Sequence, residues 1–383
     1  MSAVSVRPVQ EADLEGYYDV RSVTYFNGDP VPPEWRVFKH SRGFVAEHEG
    51  QIKGTFNILD FTCTRGEALL KCGGVAGVAV LPHERRSGVG KAMMEYWIRQ
   101  SREEGIHLAS LYGFSERYYR QFGYEVCGKR IKITCPGLKL PVMQNGLKLR
   151  LLNPEDWQQI DACYQSFAHA RSGLSMRNEK QWMRILSENR PLKIYVAGDP
   201  VEAYAVVSHK VDFWSTDHIS EVGWSTAEGY AGLMEILRGL AVNKAALTWY
   251  EPSDSPFLTA HLDTKVEIAI DRPIMFRVCD VQAALSALRP EKFGQFSIRV
   301  RDELIPENEG PWGIAYIGDK LNVQRVDSGD LEIDIKHLAQ AFLGDPSFTD
   351  LMRNGFVKVN NQEAIIPATR LFAPLPVYCP EFF

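Results

Sequence analysis

Nowhere in its 383 residues does this chain carry an apolar run close to the ~20 residues of a membrane-spanning helix. Met1 to Pro8 also lacks the charged and apolar regions of a secretory signal, so a cytoplasmic protein without a membrane partner is expected. The seven cysteines (Cys63, Cys72, Cys127, Cys135, Cys163, Cys279 and Cys379) are odd in number and show no Cys-x-x-Cys spacing. That pattern argues against a disulfide framework and against a zinc site, and the cysteines read as small core residues. The histidines, His83 and His107 among them, have no partner spacing, so no metal and no Ser/His/Asp arrangement is expected. Neither sign of charge dominates. A net charge of −5 gives no electrostatic case for nucleic acid and mildly favours a cationic ligand. The remaining composition, 45% hydrophobic and 24% charged, is that of an ordinary globular protein long enough for two or three domains.

The most informative stretch runs from Gly74 to Met94. Small and β-branched residues from Gly74 to Val80 suit a buried strand, Pro82 ends it, and a helix begins near Val89. Between them, Gly88 and Gly90 let backbone N–H groups approach an anion at the positive end of that helix, and Arg85 and Arg86 add charge. Arg-x-x-Gly-x-Gly alone is weak, because it turns up by chance in about one chain in ten of this length. Its context is stronger. Met93, Met94, Trp97 and Ile98 continue the helix to Gly105, Leu108 to Tyr112 is a strand candidate, and Glu116 to Phe122 forms a short helix closed by Gly123. A dinucleotide fold would place the glycine turn after its first strand and an acidic residue about 20 positions later, and neither holds here.

This order of elements resembles the acyl-CoA-binding half of the GNAT N-acetyltransferases. The chain also repeats. Arg7-Pro8-Val9-Gln10-Glu11-Ala12-Asp13 lines up with Arg150-Leu151-Leu152-Asn153-Pro154-Glu155-Asp156, each a short strand, a polar turn and a helix start. The offset equals one GNAT-sized unit, so two copies of the fold are expected. In the second copy, Ser225 to Leu237 is the counterpart of the cofactor helix, but it lacks the glycine turn and sets Glu228 where a pyrophosphate would lie. That copy is expected to be degenerate. From about Phe293 the pattern changes to the alternating strands Phe296–Val300, Trp312–Ile317 and Leu331–Ile335, then helices at Ile335 to Leu343 and Phe348 to Asn354. This last unit is similar to the sterol-carrier-protein-like third domain of the Eis family of acetyltransferases. The expected fold class is α/β (α+β), with a GNAT domain at 1–146, a degenerate GNAT-like domain at 147–286 and a sterol-carrier-like domain at 287–383.

The resemblance carries functional expectations to particular residues. Acetyl-CoA is the implied cosubstrate, with Val78 and Val80 offering backbone N–H groups and Arg85, Arg86, Gly88, Val89 and Gly90 holding the pyrophosphate. Ser115 either meets the cofactor or only caps the following helix. Tyr119 matches the tyrosine that protonates the departing thiolate, and Tyr118 lies on a different helix face. The general base implied for an Eis-like enzyme is the α-carboxylate of Phe383, delivered by the stiff apolar segment Phe372 to Tyr378. Asp29, Glu34 and Trp35 fall where acceptors are contacted, and the acceptor is expected to be a small cationic amine such as an aminoglycoside, a polyamine or lysine. A homo-oligomer, a hexamer by resemblance, is implied, with direct transfer through a ternary complex. Two rival readings remain: a long-chain acyl-CoA N-acyltransferase similar to the N-myristoyltransferases, and a non-catalytic acyl-CoA- or lipid-binding protein.

Overall fold

The structure, a computed structural model, describes residues 4–33, 41–187, 192–208, 217–260, 265–271 and 274–381. The first unit contains β1 (Ser5–Pro8), α1 (Leu14–Tyr25), β2 (Arg42–His48), β3 (Gln51–Arg65), β4 (Ala68–Val80), α2 (Val89–Glu103), β5 (Leu108–Tyr112), α3 (Glu116–Arg120), β6 (Glu125–Val126) and β7 (Arg130–Cys135). The second contains β8 (Leu149–Leu152), α4 (Gln158–His169), β9 (Ser172–Met176), α5 (Glu179–Ser187), β10 (Leu192–Ala197), β11 (Ala203–Ser208), β12 (Asp217–Trp224), α6 (Ala227–Leu240), β13 (Leu247–Pro252), α7 (Pro256–Ala260), β14 (Glu267–Ile270) and β15 (Ile274–Val278). After α8 (Val281–Ser286), the third comprises β16 (Phe293–Arg301), β17 (Gly310–Ile317), β18 (Lys320–Arg325), β19 (Leu331–Asp334), α9 (Ile335–Leu343), α10 (Phe348–Arg353), β20 (Val357–Val359) and α11 (Ile365–Leu371). The repeat seen in sequence is a repeat of structure. Short 3₁₀ turns at Glu11–Asp13 and Pro154–Asp156 each join a first strand to a first helix.

The two GNAT units exchange strands. The first sheet has the order β1-β2-β3-β4-β5-β15-β6, with β9 also paired to β3, and the second has β14-β7-β13-β12-β11-β10-β8. Thus β5 is flanked by β15 from the end of the second unit, and β13 by β7 from the end of the first. Cutting the chain at residue 146 would strip the first sheet of β9 and β15 and the second of β7. The third unit is a five-stranded sheet, β18-β17-β16-β19-β20. Its apolar face shares one continuous core with Cys63, Leu70, Cys72 and Leu108 of the first sheet and Phe276 of β15. A buried ion pair, Arg277 to Asp302 at 2.7 Å, pins that junction, and Arg277 also donates to the Phe122 carbonyl at 2.8 Å. All seven cysteines are buried free thiols. Among the described residues no helix is long and apolar enough to cross a membrane.

The last stretch of chain lies between these cores. Phe372, Val377, Tyr378 and Cys379 are buried, and Val377 forms a bridge to Ser172 at the start of β9. Tyr378 N–H donates to the Ser172 carbonyl and Ser172 N–H to that of Pro376, each at 2.9 Å. Arg65 of β3 donates to the Ala373 carbonyl at 2.6 Å. The segment is therefore docked through Glu381, and Phe382 and Phe383 lie outside the described residues.

Candidate active site

β4 and β5 run parallel only from Cys72↔Leu108 to Val75↔Leu111, although β4 continues to Val80. Past Val75 the two strands part. On its other side β4 is bulged: Thr55 faces Ala79 while Asn57 faces Ala76, so Gly77 and Val78 together oppose Phe56. Gly77 has a left-handed φ of 56°, and a Cβ there would lie 2.7 Å from the Arg21 guanidinium. α1 holds the bulge from above. Arg21 donates to the Gly77 carbonyl at 3.4 Å and Tyr25 to that of Val78 at 2.8 Å.

The parted strands open into a cleft of ≈ 800 Å³ lined by Thr24, Tyr25, Val78, Val80, Arg85, Arg86, Gly88, Gly90, Lys91, Phe114, Tyr118 and Gln121. Its floor is the start of α2. Gly88 is the N-cap residue at φ 100°, no side chain caps the helix, and its first turn carries no acidic residue. The first-turn N–H groups therefore face the cleft at the positive end of a four-turn helix. A Cβ on Gly88 would meet nothing within 4 Å, so the glycine is required there by backbone conformation and the space above it is open. Arg85 and Arg86 are exposed and make no ion pair among the described residues, whereas Glu84 turns the other way onto Lys53 at 3.2 Å. α2 is fixed beneath by Met93, Met94, Trp97 and Ile98, all buried in the core of the first unit. An uncapped helix start, two unpaired guanidinium groups and open space above the cap glycine fit a bound pyrophosphate.

Six expected cofactor residues, Val78, Val80, Arg85, Arg86, Gly88 and Gly90, thus come together on one cleft. Val89 is a partial exception, since its side chain is buried and only its backbone faces the helix start. Ser115 accepts from Tyr118 N–H as the N-cap of α3 and is not part of the lining. The two tyrosines differ sharply. Tyr118 lines the cleft, and a Cβ on Gly90 would sit 2.7 Å from its hydroxyl. Tyr119 is 3% exposed and packs edge-on against Tyr118, Phe114 and Tyr124. Burial, then the neighbouring Tyr118 and Tyr25, push its phenol well above the ordinary value, so it stays protonated through the neutral range. Asp29 is exposed in the turn after α1 and is not among the lining residues, while Glu34 and Trp35 lie outside the described residues.

Sequence reasoning did not single out Thr24, Lys91, Phe114, Tyr118 or Gln121 as lining residues. Only Lys91 carried a usable signal, because it directly follows the glycine turn in the first turn of the helix.

Residues 5–127 match the profile of the acetyltransferase (GNAT) domain, and residues 281–380 that of the sterol carrier protein domain. An uncharacterized N-acetyltransferase of Streptomyces avermitilis is 26% identical over 398 residues, covering 96% of each chain. The chain is an acetyltransferase with a GNAT domain, similar to Eis. The N-acetyltransferase Eis of Mycobacterium tuberculosis is 25% identical over 357 residues, 84% of this enzyme and 85% of that one. Eis1 from Mycobacterium abscessus shares its fold over 100% of both chains at TM-score 0.80 and 21% identity. A probable N-acyltransferase from Enterococcus faecalis does so over 100% of both at TM-score 0.88 and 19% identity.

Proposed function

We propose that this enzyme transfers an acetyl group from acetyl-CoA to a primary amine of a small cationic acceptor by direct attack in a ternary complex. The observation that carries the reading is the uncapped N-terminus of α2 beneath Arg85 and Arg86, set beside the strand that has lost its β5 neighbour. Backbone N–H groups from Gly88 to Gly90 and the two guanidinium groups hold the pyrophosphate. The N–H groups of Val78 and Val80, which β5 no longer reaches, face the acetyl carbonyl and the pantetheine arm, and stabilise the oxyanion as it forms. Acetyl-CoA supplies the activated thioester. The acceptor nitrogen attacks its carbonyl carbon, the C–S bond breaks, the proton lost by the amine passes to the α-carboxylate of Phe383, and Tyr119 gives its proton to the departing thiolate.

The base is needed because an alkyl ammonium with a pKa near ~10 is almost wholly protonated at neutral pH. Docking of the tail through Glu381 supports Phe383 in that role, since Tyr112 at the end of β5 donates to the Glu381 carbonyl at 2.8 Å. Asp29, Glu34 and Trp35 are assigned to the acceptor's positive charge; Asp29 is tied to the end of α1 by Ser22, which donates to its carbonyl at 2.7 Å. The enzyme is placed in the cytoplasm as a homo-oligomer with no metal.

The experiment is a panel of aminoglycosides, polyamines and lysine derivatives assayed with acetyl-CoA by thiol release, run in parallel on an enzyme carrying a few residues after Phe383. Turnover of at least one amine, lost on extension, is the expected result. No turnover with any amine, despite acetyl-CoA binding, would remove the acceptor class, and full turnover by the extended enzyme would remove Phe383 as the base.

A further inference from the structure

The bulge of β4 is held from α1 by a connected set of side chains. Arg21 Nη1 donates to the Gly77 carbonyl at 3.4 Å and to the Tyr17 hydroxyl at 3.1 Å, and Tyr17 donates in turn to Asn57 Oδ1 on β3. Burial pushes the Tyr17 phenol up to about 12 against the opposing pull of Arg21, so it keeps the proton that it gives to Asn57 and offers Arg21 a lone pair. The guanidinium carbon lies 5.4 Å from the centre of the Tyr17 ring and 5.5 Å from that of Tyr25. Among the described residues it meets no carboxylate, so its charge is left to the bulge. Gly77 is its seat, because a Cβ there would lie 2.7 Å from the guanidinium.

We propose that Arg21 is a positioning residue of the reaction: by holding the Gly77 carbonyl it aims the N–H of Val78 at the thioester oxygen and strengthens it as a donor. The inference rests on the reading of that N–H as an oxyanion donor. The Gly77 carbonyl and the Val78 N–H belong to one planar peptide unit, in which they point in opposite directions. Within a strand, the N–H and the carbonyl of one residue point to the same side. The Val78 carbonyl accepts from Tyr25, which lines the cleft together with Val78, whereas the Gly77 carbonyl is gripped by a guanidinium tied through Tyr17 to Asn57 of β3. Both contacts set the Val78 N–H on the side of β4 that β5 has left. A cation at the carbonyl oxygen polarises the peptide unit and makes its N–H a stronger donor. At 3.4 Å the Arg21 contact is long for a hydrogen bond, but the attraction of a charge falls only slowly with distance. Its pull is greatest once the amine has attacked and the thioester oxygen carries negative charge, so it is felt more in the transition state than in binding of the thioester.

Arg21→Met keeps an unbranched side chain and removes the charge. Arg21→Lys keeps the charge without the planar fork, and gives a reading even where the neutral variant folds poorly. Infrared difference spectra of bound acetyl-CoA, isotope-labelled at the thioester carbonyl, read the donor without any acceptor. The expected result is a carbonyl band at higher frequency in Arg21→Met than in the unaltered enzyme, with Arg21→Lys between the two, at unchanged acetyl-CoA affinity. With the best amine of the panel, kcat should fall about tenfold in Arg21→Met, less than the loss of a whole oxyanion donor, and should recover in part in Arg21→Lys. A band that stays in place in Arg21→Met would overturn the role of Arg21 whatever its kcat, because a packing defect lowers turnover without touching the bound carbonyl. Equal shifts in both variants would also overturn it, since the charge would then do nothing. A band in the unaltered enzyme at the frequency of the thioester in an apolar solvent would instead overturn the reading of Val78 as the donor, and failure to bind acetyl-CoA would overturn the cosubstrate.

Discussion

The two GNAT units share a fold, a strand-helix opening and a parted pair of parallel strands, yet their cofactor helices begin in opposite ways. α2 starts at Gly88 with no side-chain cap and no acid in its first turn. α6 starts at Thr226, whose hydroxyl accepts from Gly229 N–H at 2.8 Å, and Glu228 stands in the first turn. The Glu202 carbonyl lies against the same turn: it accepts from Ser225 N–H at 2.9 Å, and a Cβ on Gly229 would lie 2.3 Å from it. Behind that helix, Glu251 near the end of β13 is buried and accepts from Trp249, Ser255 and Tyr230. In one unit the helix start has no side-chain cap and no acidic residue in its first turn; in the other, Thr226 caps it and Glu228 sets a negative charge beside it, so the second helix start is the poorer host for an anion.

The sharpest way to break this contrast is at the chemistry. Tyr119→Phe should lower kcat by on the order of 10² to 10⁴ if the buried phenol is the proton donor, with acetyl-CoA affinity intact. Tyr118→Phe should do the reverse, weakening acetyl-CoA several-fold with little effect on kcat, because its hydroxyl sits at the start of α2. Steady-state kinetics with calorimetric binding separates the two, and exchanged phenotypes would make Tyr118 the donor.

Next in size is the cradle. Gly88→Val forces a β-branched residue into a φ of 100° and puts methyl groups into the open space above the helix start. The acetyl-CoA dissociation constant is expected to rise by on the order of 10² while the fold persists. Calorimetric titration of a folded variant with native affinity would empty the argument that α2 binds the anion.

Much of this was legible in the sequence, and what was not has a common cause. Leu108–Tyr112 and Ile335–Leu343 form as the apolar pattern predicts, the second bounded by an Asp334 cap and by Gly344 at φ 104°. The glycine turn of α2 was equally plain, because local backbone needs are written in neighbouring residues. Strand exchange was not: which strand β15 pairs with is decided by packing against β5 and β6, far away in sequence, and nothing local to Ile274–Val278 encodes it. Adjacent tyrosines posed a similar problem. Tyr118 and Tyr119 are about 100° apart on a short helix, and only the tertiary fold decides which faces the cleft. The apolar, stiff tail announced its docking, but the side chain that ties it to Ser175 and Arg177, Glu381, looked like any terminal acid.

The third test addresses the buried carboxylate of the second unit. Burial raises the Glu251 carboxyl to about 7, from 4.5. Between these values the unfolded chain has released the proton and the folded protein keeps it, so stability falls as pH rises and levels off above about 7. The drop from pH 5 to pH 8 should be on the order of 2 to 3 kcal/mol. Glu251→Gln removes the titration and should flatten that part of the profile in urea unfolding curves; an unchanged slope would assign it to other groups.

The smallest expected effect is also the most direct comparison of the two helix starts. Thr226→Ala removes the hydroxyl that satisfies Gly229 N–H and leaves a first-turn donor without its partner. Loss of such a cap costs about 1 kcal/mol of stability. It should cost nothing else: Glu228 still repels an anion, the Glu202 carbonyl still lies against the turn, and so acetyl-CoA should bind with native affinity and native stoichiometry. The capped helix would then be a structural element whose loss is felt in the melting temperature alone, while the uncapped helix is felt in ligand binding. If calorimetry instead found a second equivalent of acetyl-CoA on the Thr226→Ala enzyme, the hydroxyl cap would be the main feature keeping the second unit closed, and the roles given to Glu202 and Glu228 would fall.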